Sequence, residues 1–192
     1  MQPGLLSGSA SSSLPSVDAC PGASARAGAT MLERAAAKVE ANGLRGRVRL
    51  VRADLGDDPS RLPVEGASVV TMLWTLQFVD PPRREQLLRR IHDALAPGGA
   101  LILAEKVRSR DRRLDGLFAE LHLELKRRNG YSETEIARKR EALENVLVPL
   151  RVNENLSLAR HSGFTVTEPF VQWCGFASFL CLKRPGASMA GC

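Results

Sequence analysis

The sequence predicts an α/β domain with a mostly parallel sheet that ends in an antiparallel edge. An apolar run with β-branched members, residues 67–76, precedes an amphipathic helix over 82–95, a Pro-Gly-Gly turn and a second apolar run over 100–107. A strand, a helix and a strand joined in this way place the two strands parallel. Residues 164–172 and 175–183 are two further apolar segments close enough to pair antiparallel. These two observations carry the fold class.

The first elements of the folded part are a helix over residues 31–42 and a short strand over 47–53. Gly43 is well placed to end the helix, because glycine adopts the left-handed conformation of a helix C-terminus. The run 67–76 has the continuous apolar composition of a strand buried on both faces.

Helices account for most of the remaining chain. In the helix over 82–95, Pro82 occupies the first turn, where a missing N–H costs nothing. Its apolar face is formed by residues at helical spacing: Leu87, Leu88, Ile91 and Leu95. Three more helices are predicted over 113–128, 133–146 and 154–161.

Composition divides the chain into three parts. Residues 1–30 are rich in Ser, Ala, Gly and Pro, which predicts a disordered low-complexity segment. Poverty in acids also suits an organelle-targeting peptide, but Arg26 is the only arginine there. A wrong start site is a third interpretation. Residues 31–184 form the predicted folded domain, and 185–192 a flexible tail.

The charge and cysteine content favour an intracellular protein without a metal centre. The net charge of +6 can attract an anionic substrate or RNA. No apolar run approaches the roughly 20 residues that cross a bilayer. The cysteines Cys20, Cys174, Cys181 and Cys192 lack the spacing of a zinc or redox site, and Cys174 and Cys181 are predicted to be small core residues. A reducing compartment, the cytoplasm, is therefore expected.

Ligands of open parallel sheets bind outside the carboxyl ends of the strands. This rule selects Asp54 and Leu55, residues 73–77, and Glu105 with Lys106. Asp54 could accept a hydrogen bond from an exocyclic amine such as that of adenine, or it could cap the turn at 56–59; the sequence leaves both open.

Aromatic and histidine side chains near these positions have alternative roles. Trp74 and Phe78 could stack on a base, although packing in the core is favoured. His92 is expected to be solvated on a charged helix flank, and His161 to lie at a helix end that suits its charge. His122, between Glu120 and Glu124, is a weak candidate metal ligand.

The densest basic region comprises residues 126–131 and Arg138, Lys139 and Arg140. Most charge runs on helices are solvated faces. Arginine is nevertheless the residue suited to a carboxylate, because its planar fork can donate two parallel hydrogen bonds.

Three segments together carry a family resemblance: TLQFVDP at 75–81, PGGALILAEK at 97–106 and KRRNGYSETEIARKREALENVL at 126–147. They resemble the carboxy-S-adenosyl-L-methionine synthase family over about residues 31–183. The resemblance implies a Rossmann-like class I methyltransferase fold and a homodimer, with no membrane and no direct nucleic-acid contact. It implies the conversion of S-adenosyl-L-methionine (SAM) and prephenate to carboxy-SAM, which a partner enzyme uses to modify the wobble uridine of certain tRNAs.

The resemblance also assigns roles to individual residues. Asp54 and Leu55 match the pair at the adenine end of the cofactor, and Arg140 matches the arginine that pairs with the transferred carboxylate. Leu73 stands where the family has an asparagine, so only a backbone contact could survive there. Asp18 is the one match to the ribose-binding acid.

A glycine-rich DxGxSxG-type loop, which follows the first strand in the family, has no counterpart in the sequence. Without that strand, the strand at 67–76 would have a bare apolar edge. We therefore expect a truncated or misassembled gene product that is impaired as an enzyme. The alternatives are an ordinary SAM-dependent methyltransferase and a non-catalytic remnant that acts as a dimeric interaction module.

Overall fold

The computed structural model describes residues 25–53, 55, 62, 64–143 and 146–186, which contain five helices and four strands. In chain order they are α1 (Ala25–Ala41), β1 (Ala67–Leu73), α2 (Pro81–Ala94), β2 (Leu95–Lys106), α3 (Arg112–Arg128), α4 (Glu133–Leu143), α5 (Val152–His161), β3 (Val166–Trp173) and β4 (Phe176–Leu182). A short 3₁₀ turn, Leu76–Phe78, separates β1 from α2. The helices and strands predicted over residues 67–183 are confirmed with shifted ends, but the turn predicted at 97–99 is wrong, because β2 already begins at Leu95 and includes those residues.

The four strands form one sheet in the order β1-β2-β4-β3. β1 and β2 are parallel, as the strand-helix-strand pattern requires, with Val70 opposite Leu101. β4 is antiparallel to both β2 and β3. The predicted α/β class is confirmed, but the sheet is mixed rather than mostly parallel. The hairpin that joins β3 to β4 folds back so that β4, not β3, lies beside β2.

β1 is an edge strand, and the prediction that it is buried on both faces is wrong. Val69 is 43% exposed and Leu73 is 54% exposed, whereas Met72 is buried. β2 covers one edge of β1, and none of the described residues pairs with the other. The expected apolar edge is therefore present, because composition reports what a strand can bury and not whether a neighbour is there to cover it.

Contacts within the chain group the described residues 25–52 and the described residues from 53 onward as separate units. In the first, α1 ends as predicted at Gly43, whose φ of +66° is left-handed and whose N–H donates to Glu40 O at 2.9 Å. The strand predicted over 47–53 does not form. Only isolated bridge positions occur there, because none of the described residues supplies that segment with a ladder.

The core of the second unit lies between α2 and the two central strands. Its members are almost completely buried: Leu87, Leu88, Ile91, Leu101, Leu103, Phe179 and Cys181. Burying one such side chain stabilises the fold by about 1.5–3 kcal/mol. Cys181 is a core residue as predicted, and burial raises the pKa of its thiol to about 12. Cys174 is not; it is half-buried in the β3–β4 turn with a φ of +48°.

α5 packs on α2 through His92, and the prediction that His92 is solvated is wrong. Its ring meets Phe164 edge-on, with centroids 5.2 Å apart. A Cβ at Gly163, which has a φ of +108°, would lie 3.0 Å from that ring. Glycine is therefore required at the end of α5, both for its conformation and for the space it leaves. His161 is the last residue of α5, as predicted.

No helix among the described residues is both long and apolar enough to cross a membrane.

Candidate functional site

A buried carboxylate at the end of β2 holds the segment that follows β1. Glu105 is 2% exposed. Its Oε1 accepts hydrogen bonds from the backbone N–H groups of Thr75 at 3.2 Å and Leu76 at 2.9 Å. Its Oε2 accepts from Gln77 N–H at 3.0 Å. Three consecutive backbone donors therefore converge on one side chain, which positions the carboxyl end of β1 relative to that of β2.

The same segment is held from α2 by an arginine that the sequence analysis missed. Arg84 is 2% exposed. It donates from Nε to Val79 O at 2.8 Å and from Nη2 to Gln77 O at 3.1 Å. The side chain of Gln77 in turn accepts from Lys106 N–H at 3.0 Å. The signal was available: position 84 lies one turn before Leu87 and Leu88 on the apolar face of α2, where an arginine needs a buried partner.

Burial sets the titration of this cluster. Desolvation raises the pKa of Glu105 to about 7; the backbone N–H groups of Leu76, Gln77 and Thr75 and the positive charge of Arg84 oppose that rise. Desolvation also lowers the pKa of Arg84, against the attraction of Glu105 and Asp80. The carboxyl group therefore changes charge near neutral pH within a fixed network of donors.

Trp74 connects this segment to the surface, and the prediction that it packs in the core is wrong. Its φ is +56°, an uncommon conformation for a bulky residue. The backbone N–H of Trp74 donates to Ala104 O at 2.7 Å. The indole is 46% exposed and meets Phe176 edge-on at 5.3 Å. Leu73 and Trp74 thus present exposed apolar side chains where β1 ends.

A cavity of about 680 Å³ opens beside these strand ends, between β2, α3, α4 and the start of β4. Charged and polar side chains line part of it: Lys106, Arg108, Asp115, Glu120, His122 and Arg140. Apolar side chains line the rest: Val107, Phe118, Leu123, Pro149 and Phe176. Its volume and mixed lining suit a small organic ligand with charged groups.

The electrostatics of the cavity favour an anion. Desolvation and then the charge of Lys126 lower the pKa of Lys106, while Asp115 raises it. Desolvation, Lys126 and Lys106 all lower the pKa of His122. The His122 Nδ1 atom is buried and has no hydrogen-bond partner among the described residues. An anion near Lys106 and His122 would relieve this mutual repulsion of the basic groups.

Most of the basic region that the sequence singled out is paired on the surface. Arg127 binds Glu133 at 2.6 Å, and Arg128 binds Glu124 at 3.0 Å. Lys139 lies over the ring of Tyr131, 4.1 Å from its centroid. Arg140 differs from Arg127 and Arg128, because it lines the cavity and has no ion-pair partner among the described residues.

The structure brings together only some of the predicted site residues. Arg140 and Lys106 line the same cavity. Leu55 is 4% exposed, and Leu73 is exposed at the end of β1; neither lines that cavity. Asp54 and Asp18 lie outside the described residues. Among the described residues no group of three His, Cys, Asp or Glu side chains could hold a metal ion, His122 included.

Sequence comparisons identify the relatives of this arrangement. A methyltransferase domain model matches residues 27–99. A carboxy-S-adenosyl-L-methionine synthase of Methylococcus capsulatus is 42% identical over 153 residues, which are 80% of this chain and 62% of that protein. One of Pseudomonas putida is 51% identical over 121 residues, 63% of this chain and 49% of its own. This chain is a homologue of the carboxy-S-adenosyl-L-methionine synthases. It spans about three-fifths of the length of the first of these synthases.

Solved structures agree on the fold. An O-methyltransferase family protein from Burkholderia thailandensis superposes with a TM-score of 0.63 at 17% identity, over 90% of this chain and 44% of its own. The structure described as PigF with SAH has a TM-score of 0.56 at 18% identity, over 89% of this chain and 43% of its own. The chain therefore has the fold of SAM-dependent methyltransferases, as expected for a homologue of the synthases.

Proposed function

We propose that this chain acts as a carboxy-SAM synthase, which converts SAM and prephenate to carboxy-SAM for a partner enzyme that modifies the tRNA wobble uridine. Homology to the synthases over four-fifths of the chain supports the reaction class. The observation that carries the proposal is Arg140. It lines the cavity at the strand ends without an ion-pair partner among the described residues, so its guanidinium can receive a carboxylate.

The residues present fit SAM in part. Arg140 would hold the carboxylate of carboxy-SAM, and Asp54 and Leu55 would hold the adenine end. Leu73 offers only its backbone, because its side chain has no hydrogen-bonding group. Asp18 would hold the ribose. When bound, SAM supplies a methyl carbon made acidic by the neighbouring sulfonium. We therefore propose that plain SAM is held more weakly here than by relatives with an asparagine in place of Leu73.

Side chains of this protein would then bind the carboxylate and fix the geometry of the site around it. Arg140 fixes the carboxylate through two parallel hydrogen bonds, which distinguishes carboxylated from plain cofactor. Glu105 and Arg84 hold residues 75–79 so that the two strand ends keep one geometry. A site held in advance by buried hydrogen bonds spends less of the binding energy on ordering itself.

Small molecules released on denaturing the purified recombinant protein, identified by mass spectrometry, test the proposal. We expect carboxy-SAM in the released fraction, because the arginine retains the carboxylated form during purification. Arg140→Ala protein prepared in the same way is the control, and it should release no carboxy-SAM. Plain SAM alone would favour an ordinary methyltransferase. A folded protein that releases no adenosyl compound would favour a non-catalytic remnant.

We also propose that the chain forms a homodimer through α3. Four leucines spaced along one face of this helix are 40–49% exposed: Leu114, Leu117, Leu121 and Leu125. None of the residues of α3 is fully buried. A continuous apolar stripe of this kind is typical of a helix that packs against a second protein surface. The family resemblance implies a dimer, so the surface that packs against this stripe is a second copy of the same chain.

Leu121→Lys is expected to weaken self-association by roughly tenfold or more, because a lysine in the centre of an apolar interface loses its hydration. Sedimentation velocity over a range of concentrations measures the change. Phe170→Lys is the matched control, since Phe170 is 55% exposed on β3 and lies outside the stripe. A wild-type protein that sediments as a monomer at every concentration would contradict the proposed dimer.

A further inference from the structure

Basic side chains from three elements line the cavity beside β2: Arg140 on α4, Lys106 at the end of β2 and His122 on α3. The apolar part of the lining includes Phe118 and Phe176, and the ring centroid of Phe176 is 5.1 Å from that of His122. Arg140 is assigned to the carboxylate of carboxy-SAM, which leaves Lys106 and His122 without an assigned ligand.

The charged side chains that line the cavity are not all available to a ligand. Arg108 is engaged by Glu154 at 3.8 Å. Asp115 accepts a hydrogen bond from the backbone of Ser109. Glu120 also lines the cavity, as an exposed carboxylate. Lys106 has no ion-pair partner among the described residues. It therefore remains a cationic donor beside the buried, unpartnered Nδ1 of His122.

We propose that Lys106 and His122 form a second carboxylate subsite, which binds an organic carboxylate with an apolar ring. This inference rests on the proposed function, since it assigns the second substrate to basic side chains of the same cavity other than Arg140. The Lys106 ammonium supplies the charge, and His122 supplies a ring nitrogen that has no partner. The aromatic wall supplies the contact area that an organic anion has and inorganic phosphate lacks.

The backbone at Lys106 is held by hydrogen bonds. Its backbone N–H is held by the Gln77 side chain at 3.0 Å, and the preceding residue is Glu105, which is anchored to three backbone donors. The lysine side chain therefore extends from a hydrogen-bonded position at the end of β2. The subsite and the segment after β1 share this support, so the two substrates would meet on a common framework.

The test measures prephenate binding by calorimetry in wild-type protein, in Lys106→Met and in Lys139→Met. Lys106→Met is expected to weaken prephenate binding roughly tenfold, the loss typical of one charge-assisted hydrogen bond. Lys139→Met removes the same charge from a lysine that lies over Tyr131 and does not line the cavity, and affinity should stay within about twofold of wild type. Inorganic phosphate should bind at least tenfold more weakly than prephenate, since it makes no use of the apolar wall.

NMR of the histidine rings gives a second measurement. If Lys106 had only a structural role, prephenate would not change the titration of His122. The chain has 3 histidines, His92, His122 and His161. Saturating prephenate should raise the pKa of His122, because a carboxylate then lies beside Lys106 and the imidazole. His92 and His161, on the α2–α5 side of the fold, should not respond.

Each failure has a distinct meaning. If prephenate does not bind, if Lys106→Met binds it as wild type does, if phosphate binds as tightly, or if His122 does not respond, the subsite is wrong. The proposed function would still stand if carboxy-SAM binding depended on Arg140. If prephenate binding depends on Lys106 while no adenosyl ligand binds, the proposed function is wrong and the subsite stands.

Discussion

Arg140→Ala is expected to weaken carboxy-SAM binding by roughly 100-fold and to leave SAM affinity within about threefold of wild type. The guanidinium lines the cavity, and it has no ion-pair partner among the described residues. The extra carboxylate of carboxy-SAM is the only group that distinguishes the two ligands. Removing its partner therefore removes the discrimination without touching the residues assigned to the adenine end.

The measurement is isothermal titration of both ligands into ligand-free protein. Arg138→Ala is the matched control, because Arg138 lies two positions earlier on the same helix and does not line the cavity. The ratio of its affinities for carboxy-SAM and SAM should equal that of the wild type. Equal weakening of SAM and carboxy-SAM in Arg140→Ala would mean that Arg140 supports the fold of the site and does not read the carboxylate.

Glu105→Gln is expected to flatten the pH dependence of stability between pH 5 and pH 8. The folded-state pKa of Glu105, about 7, lies above the ordinary value of 4.5. A raised pKa means that the folded state binds the proton more tightly than the unfolded state. The stability that this protonation contributes is fully present below the ordinary pKa, and it is lost as the pH rises through about 7.

Between pH 5 and pH 8 this loss amounts to about 2–3 kcal/mol. Glutamine keeps the shape of the side chain and one acceptor oxygen. Its amide nitrogen, however, would face the backbone N–H of Gln77, and two donors cannot form a hydrogen bond with each other. The variant should therefore be less stable than wild type at pH 5, and the difference should narrow by that amount at pH 8. The lower stability of the variant at pH 5 and the loss of the pH dependence of stability both follow from replacing the buried carboxyl group of Glu105.

Urea unfolding at pH 5, 6, 7 and 8 gives the free energy of unfolding of each protein. Glu85→Gln is the control, because Glu85 is an exposed glutamate of α2 paired with Arg89. Its pH profile should follow that of the wild type. If Glu105→Gln keeps the wild-type slope, the carboxyl of Glu105 does not titrate in this range and another group sets the pH dependence.

The local elements of this protein could be predicted from sequence because each depends on neighbours in the chain. The spacing of Leu87, Leu88 and Ile91 marks α2, and Gly43 and Gly163 end their helices by adopting a left-handed φ. Arg140, which lines the cavity, was also singled out from sequence, because a specific motif surrounds it. These signals are periodicity, backbone conformation and a local pattern, and none requires knowledge of distant contacts.

The burial of individual side chains was decided by contacts that are distant in sequence. Glu105 could be placed at a strand end, but its bonds to residues about 30 positions away could not be foreseen. His92 occupies a helix position expected to be solvated, yet its ring lies against Phe164. The apolar-face position of Arg84 indicates burial, but its partners, Val79 O and Gln77 O, were set by the fold. Trp74, expected in the core, is 46% exposed beyond the end of β1.

Composition and periodicity thus determine which segments form helices and strands, and the motif at 126–147 indicates homology to the carboxy-SAM synthases. The tertiary structure decides the order of the strands, the charge state of Glu105 and the side chains that meet in the cavity. The reason is physical: helical and extended conformations follow from local sterics and hydrogen bonds, whereas desolvation and electrostatic coupling depend on every group that surrounds a side chain.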